Sequence, residues 1–284
     1  MKTLAALISI ALIVLSPVVA LATENSFTEA IMRSTFRIAG PNSQGTVFIL
    51  GKPASNKKCS FFVLITAAHV LEGIKGEAAT LFLRTREGDT YKKLPIQIRI
   101  RSGMQPLWKQ HPEVDVAVMP VRIPKNADIL LASTDLLATD ERIKKLNISA
   151  GAEVLVLGFP YGAEANDAGF PILRSGRIAS FPLTPTANVK TFLLDFPVFS
   201  GNSGSPVILD QEFRMIEEVP KMGHFISVLG IVSQENSITE QVKSLDELQI
   251  KSHKLGIAVV VHGSFVSELV NSLEFPTNEC EAHN

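Results

Sequence analysis

Cysteine is nearly absent: Cys59 and Cys280 are the only two in 284 residues, and neither stands near the spacing of a metal site. Charge is also scarce. Asp, Glu, Lys and Arg make up 19% of the chain, the formal net charge is −1, and there is no long basic run, so electrostatics give no reason to expect nucleic acid as a partner. Lys57-Lys58 and Lys144-Lys145 are short pairs of the kind solvated on loops. His111, His224, His253, His262 and His283 are dispersed, with no two at metal-ligand spacing, so no metal is expected and they read as surface or packing residues. Internal repeats and low-complexity tracts are missing too. What remains, with 46% hydrophobic residues, is a globular chain with ample material for a core.

The long apolar run lies at the start. Residues 1–22 begin with Lys2, continue through Leu4-Ala5-Ala6-Leu7-Ile8 and Ala11-Leu12-Ile13-Val14-Leu15, and end Ala20-Leu21-Ala22. A basic start, an apolar centre and a small-x-small end describe a signal peptide that is removed. The run is almost long enough to span a bilayer, which leaves an uncleaved anchor as the alternative; Ser16-Pro17, Ala20 and Ala22 favour cleavage. The expectation is a mature chain from Thr23, periplasmic or secreted, without membrane attachment. In such an oxidising compartment Cys59 and Cys280 are candidates for a disulfide pinning the tail to the first half, two free thiols being the other reading.

Beyond Ser34 the pattern is one of short apolar runs bounded by Gly, Pro, Asn, Asp and Ser. These predict strands over residues 35–38, 46–50, 61–66, 80–84, 96–100 and 114–121, then over 153–157, 172–179, 191–195, 206–209, 225–233 and 255–261. Six and six suggest two β units of similar size, residues 23–149 and 150–284, joined through a connection at 124–147 that includes a short helix over 141–146. Apolar groups at 265, 266, 269, 270 and 273 predict a C-terminal helix. The stretch 210–224 reads as an insertion, a solvated surface loop in the plainer view.

Three places carry chemistry. Gly201-Asn202-Ser203-Gly204-Ser205-Pro206 is a glycine-punctuated turn that can hold the Ser203 hydroxyl outward and aim the backbone N–H groups of Gly201 and Ser203 at one point, although Gly-Asn-Ser-Gly alone could equally be a surface hairpin. Thr66-Ala67-Ala68-His69 ends an apolar strand on an imidazole, a group that can take a proton from a serine and return it to a leaving group. Asp115-Val116-Ala117-Val118 begins a strongly apolar stretch with a carboxylate that needs a partner, and a histidine N–H would satisfy it. Seen singly, a structural histidine and a turn aspartate are the commoner cases.

In this order the three motifs resemble the signatures of chymotrypsin-fold (trypsin-like) serine proteases. Gln44-Gly45-Thr46-Val47-Phe48, Gly158-Phe159-Pro160-Tyr161-Gly162, Ser175-Gly176-Arg177-Ile178, Gly230-Ile231-Val232-Ser233 and Gly256-Ile257-Ala258-Val259 resemble further landmarks of that family. The serine motif is most similar to the bacterial branch of glutamyl endopeptidases and Deg/HtrA-type protease domains, without the PDZ-like domain that follows in most of the latter. The resemblance implies an all-β chain of two six-stranded antiparallel barrels with the active site between them and a C-terminal helix. It implies a secreted serine endopeptidase acting on proteins or peptides without a cofactor: His69 as general base, Asp115 orienting it, Ser203 as nucleophile and the N–H groups of Gly201 and Ser203 as oxyanion hole.

Departures from the family pattern shape the remaining expectations. Asn202 stands where enzymes activated by clipping carry an aspartate that pairs with the new N-terminus, so no such activation is expected. Val232 stands where glutamyl endopeptidases place a histidine, and Pro197 where trypsin-like enzymes place the aspartate that selects Lys and Arg. The expected substrate pocket, from Pro197, Val198, Val232, Ser233 and Gln234, therefore favours an uncharged side chain. A catalytically silent member used for binding, and an esterase with the same triad, are the other functional readings.

Overall fold

The computed structural model describes residues 26–54, 60–243 and 248–275, with side chains left undescribed over 235–254. The expected leader, Cys59 and Cys280 lie outside the described residues.

The chain enters through helix α1 (Phe27–Ser34), capped where the Ser26 hydroxyl accepts the Glu29 N–H at 3.1 Å. Its Phe27 and Ile31, one turn apart, are buried. Strands β1 (Thr35–Ala39), β2 (Gln44–Pro53) and β3 (Ser60–Thr66) follow, then the short helix α2 (Ala68–Gly73). Next come β4 (Ala78–Glu87), β5 (Thr90–Arg99), the two-residue strands β6 (Arg101–Ser102), β7 (Gln105–Pro106) and β8 (Lys109–Gln110), and β9 (Ala117–Pro120). All six strands expected in this half are present. They form a seven-stranded sheet in the order β5-β4-β1-β2-β3-β9-β8, the short β8 being the addition. Pro95 lies on the end strand β5, where a residue without an N–H costs no ladder bond.

Helix α3 (Asp140–Lys145), capped by Thr139, falls in the expected connection. The second half then closes as a six-stranded barrel: β10 (Glu153–Gly158), β11 (Ile172–Ile178), β12 (Thr191–Asp195), β13 (Pro206–Ile216), β14 (Val219–Lys243) and β15 (Leu248–His262), in the order β10-β11-β12-β15-β14-β13. The stretch read as a loop insertion is instead a hairpin that prolongs β13 and β14, pairing Phe213 with Met222 and Ile216 with Val219. Its inner face is held by Arg214, which donates to the carbonyls of Leu146 at 2.6 Å and Asn147 at 2.8 Å.

Helix α4 (Gly263–Asn271) ends the described fold. Its Phe265, Val266, Leu269 and Val270 join the core of the first sheet, alongside Phe36, Phe48 and Leu64, rather than the core of the barrel that precedes it in sequence. Lys52 donates to the Asn271 side chain, and Lys109 Nζ donates to the Ser272 carbonyl at 2.5 Å.

One buried group sets a pH limit on this fold. His262 is 1% exposed, packs its ring against Phe192 at 4.8 Å, and has no hydrogen-bond partner for either ring nitrogen among the described residues. Burial pushes its pKa from 6.5 down to about 4. Above 6.5 both folded and unfolded chains carry it neutral; between 6.5 and about 4 the unfolded chain alone takes up the proton, so stability falls with pH across that window. At about 1.4 kcal/mol per pH unit the loss reaches about 3 kcal/mol. Denaturant unfolding of the wild type and His262→Leu at pH 7 and pH 4.5, which covers most of that window, should show the variant losing about 2.5 kcal/mol less.

Candidate active site

The three motifs meet at the junction of the two halves. His69 is the second residue of α2, directly after the buried Ala67 and Ala68 that let the helix start against β3. Asp115 lies just ahead of β9, whose pairing with β3 brings it beside the histidine. Its Oδ2 accepts His69 Nδ1–H at 2.7 Å and its Oδ1 accepts the His69 backbone N–H at 3.0 Å. A third bond comes from the second half: Ser233 Oγ donates to Asp115 Oδ2 at 2.6 Å. Ser233 had been expected as a pocket residue only; the added role comes from a contact 118 residues away in sequence.

These bonds set the charge state. The hydrogen bond to Asp115 raises the His69 pKa above 6.5, against an opposing effect of burial and with help from the carboxylates of Asp115 and Glu72. For Asp115 burial pushes the pKa up, but the bonds from the His69 ring, the Ser233 hydroxyl and the His69 N–H together outweigh it and hold the pKa below 3.8.

Ser203 follows a turn that only glycine permits. Gly201 has φ +97°, and a Cβ there would lie 2.2 Å from the Phe159 carbonyl oxygen. Gly204 has φ +87°, and its Cβ would lie 2.1 Å from the Thr46 oxygen. The buried Asn202 closes the turn on itself, its Oδ1 accepting the Phe199 N–H at 3.0 Å. Thr46 of β2 holds the turn from the first half: its N–H donates to the Ser203 carbonyl at 2.9 Å and its Oγ1 to the Gly201 carbonyl at 2.7 Å. Opposite, the Tyr161 N–H donates to the Ser200 carbonyl at 2.5 Å. Among the described residues the N–H groups of Gly201 and Ser203 donate to no protein acceptor. Sequence reasoning quoted Thr46 and Tyr161 only as landmarks; their bonds to the turn leave no local signal.

His69, Asp115, Ser203 and Ser233 all line one cavity of about 670 Å³. Its walls include Val114, Val198, Gln234, Val259 and Val261, and Lys190 of the second half pairs with Glu113 of the first at 3.1 Å across it. Of the expected pocket residues, Val198, Ser233 and Gln234 line this cavity, but Pro197 and Val232 do not. Strand alternation turns Val232 wholly into the barrel core, while Pro197 is exposed outside the cleft, its carbonyl accepting from Arg174 at 3.1 Å. Among the described residues no group of acids, histidines and cysteines could hold a metal ion.

Comparison with known proteins decides the family. The sequence profile described as "Trypsin-like peptidase domain" matches residues 45–216, more than half of the chain. The chain belongs to the trypsin-like peptidase domain family. As a member of that family the chain is assigned to the serine peptidases, on a mostly β fold. No curated protein sequence matches it. Among solved structures, an inactive serine-to-alanine mutant form of Rv3671c from M. tuberculosis is 17% identical, with a TM-score of 0.43, over 89% of this chain and 94% of that one.

The His69 ring should titrate above pH 6.5, and Asp115→Asn should bring its midpoint back toward 6.5, as read from its imidazole proton resonances.

Proposed function

We propose that this trypsin-like chain is an exported serine endopeptidase that hydrolyses peptide bonds through an acyl-enzyme on Ser203. The observation that supports it best is the convergence of the His69–Asp115 pair and Ser203 on one cavity, with Gly201 lining the adjoining cavity that shares His69, Ser200 and Ser203, and with the N–H groups of Gly201 and Ser203 free of protein acceptors among the described residues. In this reading Ser203 Oγ attacks the scissile carbonyl carbon and its proton passes to His69 Nε2. Asp115, held by Ser233, keeps the Nδ1–H tautomer and stabilises the imidazolium. Negative charge gathers on the carbonyl oxygen, where the N–H groups of Gly201 and Ser203 receive it. His69 then returns the proton to the leaving amine, and water repeats the sequence to release the acid. No step needs a cofactor.

Val114, Val198, Val259 and Val261 give the cavity aliphatic walls, Lys190 and Glu113 pair with each other, and Asp115 is taken up by His69 and Ser233, which supports preference for an uncharged residue on the acyl side of the cut bond. One observation favours a second reading, a catalytically silent member that binds without cutting: Ser203 Oγ donates to the Ser233 carbonyl at 3.1 Å. A rotation about χ1 separates that position from one facing His69.

Intact mass after exposure to a fluorophosphonate separates the two. A single adduct on the wild type, absent from Ser203→Ala, is the expected result; no adduct on the folded protein would establish the silent reading. Profiling the labelling-competent enzyme on peptides should then show cuts after uncharged residues, and dominant cleavage after Lys, Arg or Glu would overturn the preference. Asp115→Asn should lower kcat by about 10⁴-fold, the magnitude set by this family's own triad as template.

Export and the disulfide form part of the same proposal. The described flanks of the two cysteines support it, because Phe61 and Phe275 stack with centroids 4.6 Å apart. The chain recovered after export should begin at Thr23 and resist alkylation until reduced; two alkylated thiols without reduction would remove the bond.

A further inference from the structure

The Ser200–Gly201 peptide decides whether an oxyanion hole exists, since a trans peptide points its C=O and N–H in opposite directions. The Tyr161 N–H holds the Ser200 carbonyl on one side, which leaves the Gly201 N–H directed to the other. Tyr161 can do so only in an unusual conformation. Its φ is +53° and its ring is 68% exposed, touching Phe199 at a centroid distance of 5.3 Å. A non-glycine residue there is strained and stays only if its surroundings fix it.

Its own turn is closed by the Gly162 N–H on the Phe159 carbonyl and the Ala163 N–H on the Pro160 carbonyl, both at 2.9 Å, and the chain beyond it is tied to the first half. The loop that continues from Tyr161, residues 163–170, leaves the barrel and lies on the outside of the first sheet. Glu164 pairs with Arg37 of β1 at 3.4 Å and with Lys93 of β5 at 2.5 Å. Phe170 meets Tyr91 edge-on at 5.1 Å. At the centre is Arg84 of β4, fully buried, with its guanidinium between the rings of Phe36 and Phe170 at 4.5 and 4.2 Å. Nη1 donates to the Gly169 carbonyl at 2.8 Å. Nη2 donates to the carbonyls of Met32, Arg33 and Thr35 at the end of α1, at 3.2, 3.0 and 3.1 Å. No carboxylate pairs with Arg84 among the described residues, and burial pushes its pKa down to about 10. A buried, unpaired cation is costly to keep, and nothing in the proposed chemistry uses it directly.

We propose that Arg84 and Glu164 are positioning residues for the oxyanion hole: by clamping loop 163–170 onto the first sheet they hold Tyr161 in place, and Tyr161 orients the Ser200–Gly201 peptide. The inference rests on the catalytic reading above. It makes α1 part of the same clamp, because the helix supplies two of the four carbonyls that Arg84 binds and Thr35, the residue that follows it, supplies a third.

The test uses Arg84→Met and Glu164→Gln in the full chain, with steady-state hydrolysis of a short uncharged peptide anilide, its pH profile, and the rate of fluorophosphonate labelling. Loss of one oxyanion donor costs about 10²- to 10³-fold, so partial release of the peptide should lower kcat about 10- to 100-fold for Arg84→Met, and less for Glu164→Gln. KM should stay within about threefold, because the loss is confined to the transition state. The acid limb should not move, since His69 and Asp115 are untouched, and the labelling rate should fall with kcat. If Arg84→Met does not fold, Glu164→Gln carries the test alone. Folded variants with wild-type kcat, or with a loss accompanied by a displaced acid limb, overturn the inference while the reading of Ser203 stands. A wild type that takes no label overturns that reading and the inference with it.

Discussion

Thr46 is where the two halves become one site. Its N–H and hydroxyl reach across to the carbonyls of Ser203 and Gly201, its Oγ1 accepts the Phe159 N–H at 3.3 Å, and its own carbonyl is held by Thr66 Oγ1 at 2.7 Å. Each of these groups is buried, so each would be costly if left unpaired. The result is that the Ser203 turn, which belongs to the barrel, is registered against β2 and β3, the strand that leads into the helix bearing His69. Gly204 records how close that approach is, since the Thr46 oxygen occupies the place a side chain would need.

Around this joint the charged groups are arranged by function. Asp115 is reached by donors from both halves, the His69 ring and N–H from one and the Ser233 hydroxyl from the other. The carboxylate is thereby kept ionised and the imidazole basic. Arg84 is handled differently: it is surrounded by carbonyl dipoles and two aromatic faces instead of a counter-ion. The first arrangement fixes an ionised carboxylate against an imidazole whose proton can come and go. The second serves a group whose charge only has to hold three chain segments together.

The parts of this architecture that were legible in the sequence are those with local signals. Twelve apolar runs bounded by turn residues correspond to twelve strands, and His69, Asp115 and Ser203, which the structure brings together, announce themselves by chemistry placed at strand ends. Helix α1 is not among the expected elements, although Ser26 and Glu29 stand at capping spacing and Phe27 and Ile31 lie one turn apart. Val232 shows why pockets are harder. Its neighbours Ser233 and Gln234 both line the cleft while Val232 lies in the core, because the register of β14 against β15 shifts between Val232 and Gln234, an irregularity that period-2 reading does not foresee. The bonds of Thr46 to Gly201 and of Arg84 to Gly169 span 155 and 85 residues, and no pattern within either segment announces them.

The placement of α4 has a consequence for how the molecule is made. Residues 265–270 complete the hydrophobic interior of strands that begin at residue 35, and Thr28 of α1 in turn donates to Asp210 of the barrel at 2.5 Å. The half synthesised first therefore lacks part of its interior until α4 has left the ribosome. Its native packing is closed by a segment from beyond the barrel, and a nascent chain caught before α4 emerges still exposes the apolar face that this helix will cover.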